Sequence, residues 1–350
     1  MKDVFWSRAL FLFLSVFFLF TSCQKDAERN VETAFYHWKT SLDISDYEAN
    51  YLKAISVNRL YLRFFDIDWD GSAGEPLPIA QLEVKTSISE NIEIVPTIFI
   101  TNRTFLKLPS EAISKLAENV LKKIFLQASK FPNHKIRELQ FDCDWSPKTQ
   151  SKYFEFLKEI KSKTQDSLFH LSSTIRLHQV KYFEKTGVPP VDRGVLMFYN
   201  MGNVEDTEIE NSILDLSIAK QYLNNVRNYP LGLDIALPIF SWGVLVREGK
   251  MIKLINNLQA SDLNDDLRFL KIDETHFEVI KSTYLQGYYL YKGDIVRLER
   301  ATIDLLQKSA DLLSSVLTDS DLTIIFYHLD SIVINNYSDE ALEDICNRFR

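Results

Sequence analysis

Apolar residues in this chain recur in short β-rich runs separated by stretches of helical period. The runs are Thr33 to Trp38, Arg59 to Trp69, Glu93 to Asn102 and Glu138 to Trp145, then Phe169 to Leu177, Gly194 to Gly202, Leu231 to Trp242 and Leu322 to Asp330. Between them, residues 46–55, 109–129, 148–164, 210–226 and 301–317 place apolar side chains at helical spacing, and Ser110 reads as a helix cap. Eight strands alternating with helices predict a (β/α)8 barrel, an α/β fold. An open doubly wound sheet is disfavoured because no Gly-rich phosphate loop follows the first strand. The stretch from the seventh run to the eighth is too long for one βα unit. It holds "HFEVIKSTYLQGYYLYKGDIVRLE", which predicts a small β-rich insertion around residues 270–300.

The start of the chain is set apart by composition. Lys2 and Arg8 precede the apolar run "ALFLFLSVFFLF", too short for a comfortable membrane span. The run ends in "FTSC", and polar residues follow. This resembles the lipobox of bacterial lipoproteins, which implies that Cys23 is acylated, with palmitate-type chains, and becomes the mature N-terminus. The expected organisation is then a leader over 1–23, a tether over 24–30, a barrel over 31–335 and a C-terminal helix over 336–350. The expected location is the cell envelope, as an outer-membrane lipoprotein facing the periplasm or the surface, a monomer held to the membrane through its lipid.

Charge and cysteines narrow the partners. A net charge of −8 supplies no basic face for nucleic acid. Cys143 and Cys346 predict buried free thiols, neither at zinc-site spacing. No cofactor is expected.

Chemistry in such barrels gathers at the C-terminal strand ends. Two similar pentapeptides fall there, "FDIDW" at Phe65 to Trp69 and "FDCDW" at Phe141 to Trp145. Strand alternation puts Gln140, Asp142 and Asp144 on one face, and by the same logic Leu62, Phe64, Asp66 and Asp68. With the other face apolar under the helices, both sets are expected to point inward. Inward carboxylates need partners, and Arg176 and His178 are available. Tyr199, Asn200, His328 and Asp330 end other strands, and Trp38 is preferred to His37 as the inward residue of the first. Trp38, Trp69, Trp145 and Trp242 would supply aromatic faces, which suit the C–H faces of sugar rings beside hydroxyl-binding carboxylates.

"FDCDWSP" resembles the D-x-D-W-E signature of glycoside hydrolase family 18, the chitinase-like barrels, and "LMFYNMG" is similar to that family's M-x-Y-D segment. The resemblance implies a carbohydrate ligand, with Asp142 and Asp144 matching the two preceding aspartates. Ser146 stands where the catalytic Glu belongs, Asn200 where an Asp belongs, and Leu139 where the earliest Asp of the motif belongs. Serine cannot protonate a leaving glycosidic oxygen. Three readings follow. A glycosidase would use a relocated pair, Asp144 as acid and Asp68 as base, with Asp142 and Asp66 beside them. Carboxyls on strands two places apart would be roughly 7–10 Å apart, within reach of the inverting range. A non-catalytic barrel would bind glycan through Trp and Asp. A metal-dependent hydrolase would use Asp66, Asp68, Asp142, Asp144, His178 and His328 as ligands, although no H-x-H or H-E-x-x-H spacing is present.

Overall fold

The computed structural model describes residues 29–165 and 169–350. The leader, Cys23 and most of the tether lie outside the described residues. Among the described residues eight parallel strands form a closed barrel: β1 (Asn30–His37), β2 (Arg59–Asp70), β3 (Glu93–Ile100), β4 (Glu138–Asp142), β5 (His170–Arg176), β6 (Arg193–Met197), β7 (Leu233–Pro238) and β8 (Asp321–Tyr327). Each strand pairs with the next, and β8 returns to β1 with Phe35 opposite Phe326. This is the (β/α)8 barrel that the alternating pattern predicts.

The helices cover the barrel for the expected reason. The helix Ile113–Ala128 buries Ile113, Leu116, Ala117, Val120, Leu121 and Ile124, one stripe at a spacing of three to four. Ser110 does not cap it; Ser110 begins a short 3-10 turn, and the helix starts without a side-chain cap. The helix expected over 210–226 is broken into Leu216–Lys220 and Leu223–Arg227, with Asp215 capping the first. Asn211, inside the expected helix, turns its side chain to the Arg300 carbonyl. Cys143 and Cys346 are buried and free, and Cys346 receives the Thr33 hydroxyl at 3.3 Å. Among the described residues no helix is long and apolar enough to cross a membrane.

Two excursions shape the rim. Past the barrel β2 continues to Asp70 and pairs antiparallel with Glu75–Ile79. The second excursion is the insertion, which begins at Ser241 rather than near residue 270. Strands Ser241–Arg247, Lys250–Asn256, Phe269–Lys271, His276–Val279 and Ile295–Arg300 make a five-stranded antiparallel sheet with its own apolar cluster. The segment Leu231 to Trp242, read as one strand, is therefore two. β7 ends at Pro238, and Trp242 belongs to the insertion.

The N-terminal end of the barrel carries a cluster of ion pairs. Arg59 lies 3.2 Å from Glu32 and 3.8 Å from Glu138, and Arg193 lies 2.8 Å from Asp234. Burial pushes Glu138 up to about 7, against the pull of Arg59.

Candidate functional site at the barrel mouth

A cavity of about 470 Å³ opens at the C-terminal strand ends. One wall is an arc of aromatic rings. Trp38 meets Tyr327 at 5.8 Å between centroids, Tyr327 meets Tyr199 at 5.4 Å and Phe240 at 5.7 Å, and Phe240 meets Trp242 at 5.3 Å. Facing it is a charged wall of Arg63, Asp142, Asp144 and Arg176. Beneath the mouth, Tyr36 donates to Gln140 at 2.7 Å and Gln140 donates to Ser172 at 3.2 Å, while the buried Tyr61 packed on Tyr36 leaves its hydroxyl without a partner among the described residues.

The carboxylates of the "FDCDW" segment differ from each other. Asp142 ends β4, is buried, and accepts from Thr174 Oγ1 at 2.5 Å. Burial pushes its carboxyl above the ordinary range, and the Arg176 guanidinium opposes the shift. Asp144 lies beyond the strand, half-exposed, and accepts from Arg176 Nε at 2.5 Å and Nη2 at 3.3 Å. Trp145 does not reach the rim. It stacks on Tyr153 at 5.4 Å and donates Nε1–H to the Thr186 carbonyl at 2.8 Å, inside the helical layer. Ser146 turns to the start of the following helix, where its amide and hydroxyl contact Thr149 Oγ1 at 2.9 and 3.2 Å.

The "FDIDW" segment is arranged by a bulge between Arg63 and Phe65. The bulge breaks simple alternation and puts Arg63 and Asp66 on one face, three residues apart. Leu62 and Phe64 therefore face outward rather than inward, and Phe64 stacks on Phe131 at 5.8 Å. Asp66 accepts from Arg63 Nε at 2.7 Å and also from its Nη2. Arg63 in turn lies over Trp38, 5.4 Å from the ring, and donates to the Trp38 carbonyl. Asp68 is turned away from the cavity and is held by Arg103, by Thr101 Oγ1 at 2.7 Å and by the Trp69 amide. It does not oppose Asp144 across the mouth, which removes the expected acid–base pair. Trp69 sits opposite Pro76 under the antiparallel hairpin and lines a separate groove.

Of the residues singled out in the sequence, the structure brings Trp38, Asp142, Asp144, Arg176, Tyr199, Asn200, Trp242 and His328 to the cavity. It leaves Asp66 behind Arg63 and places Asp68, Trp69, Trp145, His178 and Asp330 elsewhere. His178 is exposed on the short helix Leu177–Lys181, because β5 ends at Arg176 and alternation stops there. Asp330 caps the helix Ser331–Ile334 and pairs with Lys39 at 2.8 Å. Burial lowers the His328 imidazole, although Asp330 counters. Among the described residues no group of three or more His, Cys, Asp or Glu side chains is placed to hold a metal ion, so the six proposed ligands do not converge. Arg63, Phe99, Met197, Phe240, Ser241, Asn256, Asn257 and Tyr327 also line the cavity and were missed. Tyr327 and Phe240 each lie within two residues of a residue that was chosen. Asn256 reaches the mouth only because it pairs with Trp242 in the insertion sheet, which no local pattern encodes.

No family model matches the chain, and no curated protein matches it. Solved structures do. The spore cortex-lytic enzyme SleL of Bacillus cereus aligns over 92% of this chain and 75% of its own, with 17% identity and a TM-score of 0.55. SleL of Bacillus megaterium aligns over the same shares with 13% identity and a TM-score of 0.59. The GH18 chitinase ChiB of Flavobacterium johnsoniae aligns over 92% of this chain and 94% of its own, with 11% identity and a TM-score of 0.50. The fold is thus that of the chitinase-like (β/α)8 barrels.

Proposed function

We propose that the barrel mouth binds a carbohydrate chain and does not cleave it by the mechanism of the family its fold resembles. The observation that carries this reading is Ser146. At the position where that family's acid belongs, the side chain is a hydroxyl committed to Thr149, and the accessible carboxylate nearby, Asp144, is engaged by Arg176. What remains is an aromatic arc facing hydrogen-bonding groups, the two surfaces a pyranose ring presents partners for. Asn200, Asn256 and Asn257 add amides at the opening.

A hydrolytic reading survives through one carboxyl. Asp142 lines the cavity and burial favours its protonated form, the state a general acid needs. The decisive experiment offers the purified protein a panel of β-linked amino-sugar oligosaccharides and measures both binding and new reducing ends. Binding without cleavage supports the proposal. Cleavage abolished by Asp142→Asn, with binding kept, would replace it with hydrolysis. Binding to none of the glycans would overturn both.

The proposal sets this barrel at the cell envelope, as a monomer tethered by a lipid on Cys23. "FTSC" after a short apolar run supports it. Release of a Cys23→Ser variant from the membrane fraction is the expected result, and a variant that stays there would sink the anchor.

A further inference from the structure

The insertion carries an aromatic surface that the mouth does not use. Thr283–Leu285 and Tyr288–Leu290 form a two-stranded hairpin across the insertion sheet. Its two-residue turn, Gln286-Gly287, has both φ angles positive at 46° and 83°, the requirement of a tight turn that keeps the strands in register. Leu285 and Leu290 point down into the insertion's apolar cluster. The cross-strand partners Tyr284 and Tyr289 therefore point out, and Tyr291 follows Tyr289 on the same face. These three rings are 67%, 44% and 53% exposed although they touch one another, with centroids 5.0 Å apart in both pairs.

A single exposed tyrosine is ordinary, but three in mutual contact on one face form a contiguous aromatic patch, the kind of surface found at interaction sites. The surface is also held in shape. Arg247 lies over Tyr291, 4.4 Å from the ring, and is pinned by Asp294 at 2.7 and 2.8 Å. Among the described residues the hydroxyls of the three tyrosines have no protein hydrogen-bond partner. Ring faces, free hydroxyls and a fixed guanidinium are a donor set for a polyhydroxylated chain.

The surface is separate from the mouth. Trp242 faces the cavity, paired with Asn256, and hydrogen-bonds Glu299 on the same side of the insertion sheet. Its neighbour Gly243 faces the opposite side, where Leu258 and Val296 would meet a Cβ, and Val296 belongs with Leu285 and Leu290 to one cluster. The hairpin therefore covers the side of the sheet turned away from the cavity.

We infer that Tyr284, Tyr289 and Tyr291 form a second, non-catalytic glycan-binding surface that holds a polysaccharide strand apart from the mouth. The choice of glycan as ligand rests on the function proposed for the mouth. The rings cross at 68° and 85°, so they make corners rather than one plane. That geometry grips a single hydrated chain and offers no flat platform to a crystalline face.

The test measures retention of the full-length protein on acid-swollen chitin, purified peptidoglycan sacculi and crystalline chitin. A soluble hexasaccharide of β-linked N-acetylglucosamine reports separately on the mouth. Tyr284→Ala/Tyr289→Ala/Tyr291→Ala is expected to lower retention on swollen chitin or sacculi at least tenfold, with hexasaccharide affinity and melting temperature unchanged. The Tyr→Phe triple variant, which keeps the rings, should hold at least a third of wild-type retention and guards against a folding artefact. Equal retention of the Ala variant overturns the inference, as does stronger retention of wild type on crystalline chitin than on swollen chitin or sacculi. Failure of the mouth reading shows differently, as loss of hexasaccharide binding by wild type.

Discussion

Arg176 holds Asp144 through Nε at 2.5 Å and Nη2 at 3.3 Å, and the same guanidinium opposes the upward pull of burial on Asp142. One cation thus serves an accessible carboxylate and a buried one. Arg176→Ala should destabilise the fold by roughly 2 kcal/mol, less than the ~3–5 kcal/mol of a fully enclosed pair, because Asp144 is 53% exposed. Chemical denaturation of the variant measures the loss, and no change would mean that solvent already screens the pair. Glycan affinity should fall with it, since Asp144 is then free to leave the wall.

Asp68→Asn is expected to leave binding at the mouth within twofold of wild type. Its oxygens are taken by Arg103, Thr101 and the Trp69 amide, outside the cavity. Titration with the glycan that wild type binds settles this, and a tenfold loss would return Asp68 to the site.

The two tryptophans that part company in the structure should part company in function. Trp242→Ala removes one end of the aromatic arc and should weaken glycan binding at least tenfold with little loss of stability. Trp145→Ala empties a buried site against Tyr153 and should cost about 3–5 kcal/mol. Thermal melting beside binding titration separates them. A Trp145 variant that melts like wild type would contradict its place in the packed layer.

Glu138 makes stability depend on pH. Burial raises its carboxyl from the ordinary 4.5 to about 7 in the folded protein. Between those values the native state binds more protons than the unfolded chain, so stability falls as pH rises, and the fall is complete above about 7. The groups around it are Arg59, Asp234 and Glu93, with Ser172 donating a hydrogen bond. Its share of the decline is on the order of 3 kcal/mol. Denaturation midpoints at pH 5 and pH 8 should differ accordingly, and Glu138→Gln should flatten the difference. A slope unchanged in that variant would assign the effect to other groups.

Ser146→Ala should leave glycan binding unchanged, because its contacts run to Thr149 and away from the cavity. Loss of binding in this variant would mean that the hydroxyl reaches the ligand after all.

Much of this molecule is legible without its coordinates. The alternation of strand runs with amphipathic segments encodes a barrel, since each run must be covered by the helix that follows it. Strand-end polarity points to the mouth, and β4 alternates as expected, which turns Gln140 and Asp142 inward; Asp144 lines the same cavity from beyond the strand's end. The departure of the chitinase-like signature at Ser146 is likewise a property of the sequence.

Other features needed the fold. The bulge at Phe64 breaks the alternation of β2, so Arg63 and Asp66 share the inner face while Leu62 and Phe64 face outward. Trp69 and Trp145 share a motif position yet neither reaches the mouth. Each lies where the backbone leaves the barrel, and there the direction of a side chain is set by the next element and no longer by the strand. Asn256 and Trp242 are fourteen residues apart and meet through antiparallel pairing. Sequence period determines which residues a strand or helix buries, because that is local geometry repeated. Which partner a charged or aromatic group finds at a strand end is decided only by closure of the barrel and docking of the insertion, contacts between segments that no local pattern specifies.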